Sequence, residues 1–111
     1  MKYINLTPHK LDIINDAGLA PTTEVVPPSG SVARVTETFE PEFDDYRIRW
    51  YRPTYGEVVG LPEPRDGVVY IVSGMVLAAI KGRDDVLAPG PLVRDEDGRV
   101  IGCRGLKLPP R

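Results

Sequence analysis

The sequence predicts an α+β domain, mostly antiparallel β, built as a twisted sheet or partly closed barrel with one short helix. Three observations predict it. Short apolar or alternating runs recur along the chain, each cut by proline, glycine or an Asx–Gly pair, and the 12 prolines and 11 glycines are scattered rather than clustered. Helical spacing is confined to one segment, Ser73 to Gly82. No regular strand–helix–strand alternation repeats, so sequential antiparallel pairing is the expectation.

Each element follows from its local pattern. Y-I-N-L, Tyr3 to Leu6, reads as a first, edge strand stopped by Pro8. K-L-D-I-I-N, Lys10 to Asn15, alternates at first, and D-A-G, Asp16 to Gly18, supplies a turn. T-E-V-V, Thr23 to Val26, ends at Pro27-Pro28, and P-S-G-S, Pro28 to Ser31, turns the chain into V-A-R-V-T, Val32 to Thr36. The acidic stretch Thr36 to Asp45 shows no period and is expected to be a mobile loop. Y-R-I-R-W-Y-R, Tyr46 to Arg52, is a strand with Tyr46, Ile48 and Trp50 on one face and Arg47, Arg49 and Tyr51 on the other. Pro53 demotes its continuation to an edge or bulge. Gly56 to Gly67 reads as a strand fragment followed by a proline-bounded loop.

V-V-Y-I-V, Val68 to Val72, is a continuous apolar run and so a central strand buried on both faces. Ser73 is placed to cap a helix carrying M-V-L-A-A-I, with Val76, Leu77 and Ile80 on one face and Gly82 as the stop. Arg83 to Gly90 is a connector. Pro91 to Cys103 carries the strongest hairpin signal, with Asp97-Gly98 at its turn, and the tail after it adds a short edge strand. The tally is about seven short strands and one helix in a single domain spanning residues 1–111.

A formal charge of -2 argues against general nucleic-acid binding, which needs a strongly basic face. Cys103 is the only cysteine, so no internal disulfide forms, which suits a reducing cytoplasm. No basic-then-apolar leader opens the chain and no apolar run reaches membrane-spanning length, so a soluble, cytoplasmic protein without membrane contact is expected.

The polar candidates fall into four groups. The only histidine, His9, stands in N-L-T-P-H with Asn5 and Thr7; these residues either form a polar site or satisfy free backbone groups in a turn. An acid–base role for His9 would need an orienting partner, with Asp12 or Asp85 available. One histidine and one cysteine are too few for an ordinary zinc site, so no metal and no cofactor is expected. Cys103, after V-I-G, reads as a core thiol. Arginines form the second group. Arg34 interrupts an otherwise apolar strand, Arg83 follows the helix and Arg94 enters the hairpin; guanidinium forks recognise phosphate and carboxylate at two points. Tyr51 and Tyr55, with Trp50, are placed to stack on a base, while Arg47 and Arg49 read as surface charges. Third, Tyr70 and Ser73 mark a strand-to-helix junction whose free N–H groups suit an anion, unless Ser73 simply caps the helix. Fourth, R-D-D, Arg83 to Asp85, forms either a ribose or cation site or a salt-bridged turn. No Walker, dinucleotide-binding, nucleophile-elbow, C-x-x-C or H-E-x-x-H motif is present.

Taken together, I-N-L-T-P-H, P-P-S-G-S-V-A-R-V and Y-I-V-S…R-D-D-V-L-A-P-G…V-R-D-E-D-G-R-V-I-G-C resemble a family of short proteins encoded by phages, prophages and bacteria. The resemblance covers most of the chain and is weakest around Glu40. It implies a phage or prophage setting in a host-cell cytoplasm, and brings no reaction and no functional residues. By analogy, small β-rich phage proteins include sponges that sequester nucleotide-derived immune signals. The leading expectation is therefore a non-enzymatic binder of a small anionic, nucleotide-type ligand, working as a homo-oligomer. The alternatives are a structural accessory acting through copy or partner contacts, and a small hydrolase or phosphodiesterase built on His9.

Overall fold

The computed structural model describes residues 1–15, 20 and 22–110. Ten strands and one helix run in chain order: β1 Lys2–Asn5, β2 Leu11–Asn15, β3 Thr22–Val26, β4 Arg34–Asp44, β5 Arg49–Val59, β6 Val68–Ile71, α1 Gly74–Ala78, β7 Val86–Pro89, β8 Leu92–Arg94, β9 Val100–Cys103 and β10 Leu106–Lys107. They form a central sheet in the order β1-β6-β7-β10, a second sheet in the order β3-β2-β9-β8, and a separate two-stranded ribbon, β4-β5. The α+β class holds, and no sheet closes into a barrel. The turn expected at Asp16 to Gly18 lies outside the described residues.

The expected antiparallel succession is corrected in the central sheet. Both β1 and β7 run parallel to β6, and only β10 is antiparallel to its neighbour. A parallel pair needs a long connection. Val72 to Asp85, carrying α1, supplies one, so β6-α1-β7 is a single strand–helix–strand unit. The helix is a single short turn and a half, too brief for its periodicity to announce a crossover.

Alternation along β6 sends its side chains to both faces of the central sheet. Tyr70, with Val72 just beyond the strand, joins Leu6, Val86, Ala88, Val76 and Leu77 in one core beneath α1. Val69 and Ile71 face the second sheet, where Cys103 is also buried. The expectation of a doubly buried strand is met. Ser73 caps α1 by accepting a hydrogen bond from the Val76 N–H at 3.3 Å, and Gly82, at φ 74°, lets the chain turn away beyond it. In the β8–β9 hairpin, Asp95 Oδ1 accepts from the N–H groups of Asp97 and Arg99, and Gly98 takes φ 82°. The tail strand β10 pairs with β7 at the sheet edge.

The acidic stretch is the main departure. Thr36 to Asp44 is not a loop: it is most of β4, paired with β5 from Arg34↔Val59 to Asp44↔Arg49, with register shifts between Val35 and Glu37 and between Pro41 and Phe43. Acidic residues and Pro41 hid an alternating Phe39-x-Pro41-x-Phe43 pattern. The strand expected from Tyr46 begins instead at Arg49, after an apex that holds Tyr46 at φ 89°, and it continues through Pro53 to Val59. Pro53 pairs with Phe39, and Pro41 with Tyr51, two positions along the same ladder. A proline fits a ladder only where its ring nitrogen points away from the partner strand. Each outer edge of the ribbon thus lacks a donor at its middle.

At the ribbon's base, Val35 and Val58 pack on the core beneath α1, and Gly60, at φ 81°, brings the chain back where a Cβ would meet the Val32 carbonyl oxygen. Beyond the base every residue from 36 to 57 is exposed. The molecule measures 58 × 40 × 29 Å with a radius of gyration of 17.0 Å. A compact chain of this length would have about 13 Å. The ribbon is an arm.

Stability should reside in the stacked body. Ile71, fully buried between the sheets, is expected to cost about 2–5 kcal/mol on Ile71→Ala, measured by urea denaturation. Phe39→Ala, on the arm, should leave the urea midpoint of the isolated chain nearly unchanged.

Candidate functional site

Asn5, Thr7 and His9 do come together, as a buried knot rather than a ligand site. Asn5 ends β1 and is 1% exposed. Its Nδ2 donates to the carbonyls of His9 (2.8 Å) and Val26 (3.1 Å). Its Oδ1 accepts from the Thr7 backbone N–H at 2.9 Å and from the Thr7 hydroxyl at 2.6 Å. The Thr7 hydroxyl also lies 3.0 Å from the His9 carbonyl, and its single proton serves the shorter contact. His9 contributes only its backbone carbonyl to the knot and is itself exposed. The amide of Asn5 is fully committed, so the turn reading holds.

The remaining candidates scatter. The Tyr70 hydroxyl donates to the Glu63 carbonyl at 3.1 Å from within the core. Ser73 is spent on its cap. Arg83 grips Asp85 with two hydrogen bonds, Nε to Oδ1 at 2.7 Å and Nη2 to Oδ2 at 2.9 Å, and Nη2 also donates to the Pro62 carbonyl at 3.0 Å. This pair is the salt-bridged turn of the sequence alternatives. Asp85 is held below its ordinary carboxylate range by the hydrogen bond from Arg83, and Arg83 is raised by the same contact. Arg94 donates to the Gly98 carbonyl within its own hairpin. Asp12 pairs with Lys10 at 3.3 Å. Arg34 is exposed at the arm's base. No acid–base set assembles from His9, Asp12 and Asp85 within hydrogen-bond reach. Among the described residues no cluster of histidine, cysteine and carboxylates could hold a metal ion. Cys103 is buried at 3% exposure, and burial pushes its thiol up from the ordinary value, away from reactivity.

Tyr51 and Tyr55 belong to a different setting, and the sequence reading missed most of it. Six of the chain's eight aromatic residues lie on the arm: Phe39, Phe43, Tyr46, Trp50, Tyr51 and Tyr55. All six are more than half exposed. Phe39 meets Tyr51 edge-on, with centroids 6.1 Å apart, and Phe43 meets Trp50 at 5.1 Å. Trp50 and Tyr51 are neighbours in a strand, so the two pairs lie on opposite faces. Phe39, Pro41, Tyr51, Pro53 and Tyr55 make one continuous apolar face. Arginines punctuate the ribbon, with Arg49 on Asp44 at 3.2 Å and Arg52 on Glu42 at 3.1 Å, while no carboxylate pairs with the Arg47 side chain among the described residues. The period-two spacing of Phe39, Pro41 and Phe43 was the signal that could have found it.

A cleft of about 530 Å³ opens between the central and second sheets, lined by Tyr3, Ile13, Glu24, Val26, Leu87 and Leu106. Glu24 is exposed at this cleft. No helix among the described residues is long and apolar enough to cross a membrane. Compared with known protein families, curated proteins and solved structures, the chain matches none of them.

Two outcomes test this assignment. Asn5→Ala strands the backbone groups it serves and should cost about 3 kcal/mol, whereas His9→Ala should stay within about 0.5 kcal/mol of wild type, both by chemical denaturation. Because the folded-state pKa of Asp85 is depressed, its pairing stabilises the fold above the ordinary carboxylate pKa. That stability is lost as pH falls through the lower, folded value. Asp85→Asn should therefore lower stability at pH 7 and flatten the stability curve below about pH 4.

Proposed function

We propose that the protein is a non-enzymatic binding protein that works as an assembly of copies joined through the β4–β5 arm. In this reading the assembled form takes up a small anionic, nucleotide-derived ligand in the host cytoplasm, in the manner of a phage sponge. The observation that carries it is the arm itself. A two-stranded ribbon is marginal in water on its own, and this one leaves aromatic pairs bare on both faces. Exposed apolar area of that kind marks an interaction surface. The proline-blocked edges favour packing through the faces over strand addition along the edges.

Ligand uptake follows from what the arm carries. Arg47, Arg49 and Arg52 are interspersed with Trp50, Tyr51 and Tyr55, and the carboxylate pairs of Arg49 and Arg52 are solvent-exposed and open to exchange for phosphate, so guanidinium forks stand near flat rings for a base. A lone convex ribbon encloses nothing, and small-ligand sites are concave. Two apposed ribbons form a trough, so the ligand hollow belongs to the assembly, with Arg34 at its root. Asn5, Thr7, Tyr70, Ser73 and Arg83 leave the proposed site, since each is spent on the fold.

A second reading shares the arm but not the ligand: a structural accessory whose arm engages copies or a partner. The dispersal of the polar candidates favours it. Light scattering on the purified chain, with thermal-shift measurements against cyclic ADP-ribose isomers and cyclic oligonucleotides, separates the two. The sponge reading expects a mass of at least two copies and a rise of several degrees with one such nucleotide, abolished by Tyr51→Ala. An assembly that no nucleotide stabilises leaves the accessory reading; a monomer with no shift, and with no partner in a pull-down, removes both.

A further inference from the structure

The arm ends in a built apex. Asp44 Oδ1 accepts from the Tyr46 N–H at 3.1 Å. Asp45 Oδ1 accepts from the N–H groups of Arg47 (3.1 Å) and Ile48 (2.8 Å). These bonds hold Tyr46 at φ 89°, a backbone region that side chains with a Cβ rarely enter. The ring it carries is fully exposed. Next to it, Arg47 has no carboxylate partner among the described residues, unlike Arg49 and Arg52.

The cleft between the two sheets has the complementary chemistry. Its walls are the apolar side chains of Ile13, Val26, Leu87 and Leu106, and the exposed carboxylate of Glu24 stands beside them. Its volume of about 530 Å³ admits a phenol ring and the stem of an arginine. The arm cannot reach its own cleft. Its base packs on the helix-bearing face of the central sheet, through Val35 and Val58, while the cleft opens on the opposite face.

From this we infer that the apex of one copy seats in the inter-sheet cleft of a second copy, with the Tyr46 ring against Ile13, Val26 and Leu106 and the Arg47 guanidinium on Glu24. The inference rests on the assembly reading and adds a tip contact to the packing of the arms through their faces. Tyrosine and arginine are the side chains that most often anchor such interfaces. Made twice about a twofold axis, tip to cleft and cleft to tip, the contact closes into a dimer; made in one direction, it propagates.

Charge reversal tests it on exposed positions that folding does not need. Glu24→Arg and Arg47→Glu, each in the full chain, should weaken self-association at least tenfold by sedimentation or light scattering across a dilution series. The double variant should recover most of that loss, because the pair is restored with its signs exchanged. Tyr46→Ala should weaken association without rescue by either. Wild-type assembly that the single variants leave unchanged, or a double variant no better than the singles, overturns the tip-in-cleft contact while the assembly reading survives. A wild type that is monomeric throughout the series overturns both.

Discussion

Where the chain leaves one sheet for another, backbone groups have no ladder to enter, and burying them unpaired costs more than a side-chain contact returns. Asn5 meets this constraint. It sits at the end of β1, in the seam between the central and second sheets, and one amide serves carbonyls from the following turn and from β3 while accepting from Thr7. With that seam closed, Ile71 of the central sheet and Cys103 of the second are both buried. The same amide holds the carbonyl of Val26, a residue that lines the inter-sheet cleft.

A stacked body of this kind is complete in itself: α1 covers one face of the central sheet and β2, β9 and their neighbours cover the other. The arm is the opposite case. It is anchored to the body's core by Val35 and Val58 and then spends the chain's aromatic residues where nothing in the same molecule covers them. A protein with only one central strand buried on both sides could have placed those rings inside. Their location concentrates the chain's exposed aromatic surface on one element, which is why the proposed assembly is built on it.

Much of the body was legible in the sequence. V-V-Y-I-V announced a strand with two dry faces, Ser73 marked the start of a helix that ends at Ala78, short of the stop expected at Gly82, and the Asp–Gly turn placed the last hairpin, because each signal is local. The parallel pairing of β1 and β7 on β6 was not, since it depends on partners far apart in sequence. β4 was hidden for another reason. Its glutamates and Pro41 are what an exposed strand carries on an arm, and they are also what a loop carries; only pairing with β5 distinguishes the two. The site was misread in the same way. Asn5 and Thr7 were rightly seen as a unit with His9, but polar residues that meet in sequence serve the backbone before they serve a ligand, and Arg83 likewise found Asp85 two residues away. The exposed rings of β4, Phe39 and Phe43, are marked in the sequence only by their period-two spacing across Pro41.

Pro41 and Pro53 carry a further consequence. A long, flat, apolar ribbon is the kind of template on which identical chains add strand upon strand without end. Removing one donor from the middle of each margin denies that growth while leaving both broad surfaces open. Two missing hydrogens thus interrupt the template along its margins and leave its breadth uncovered.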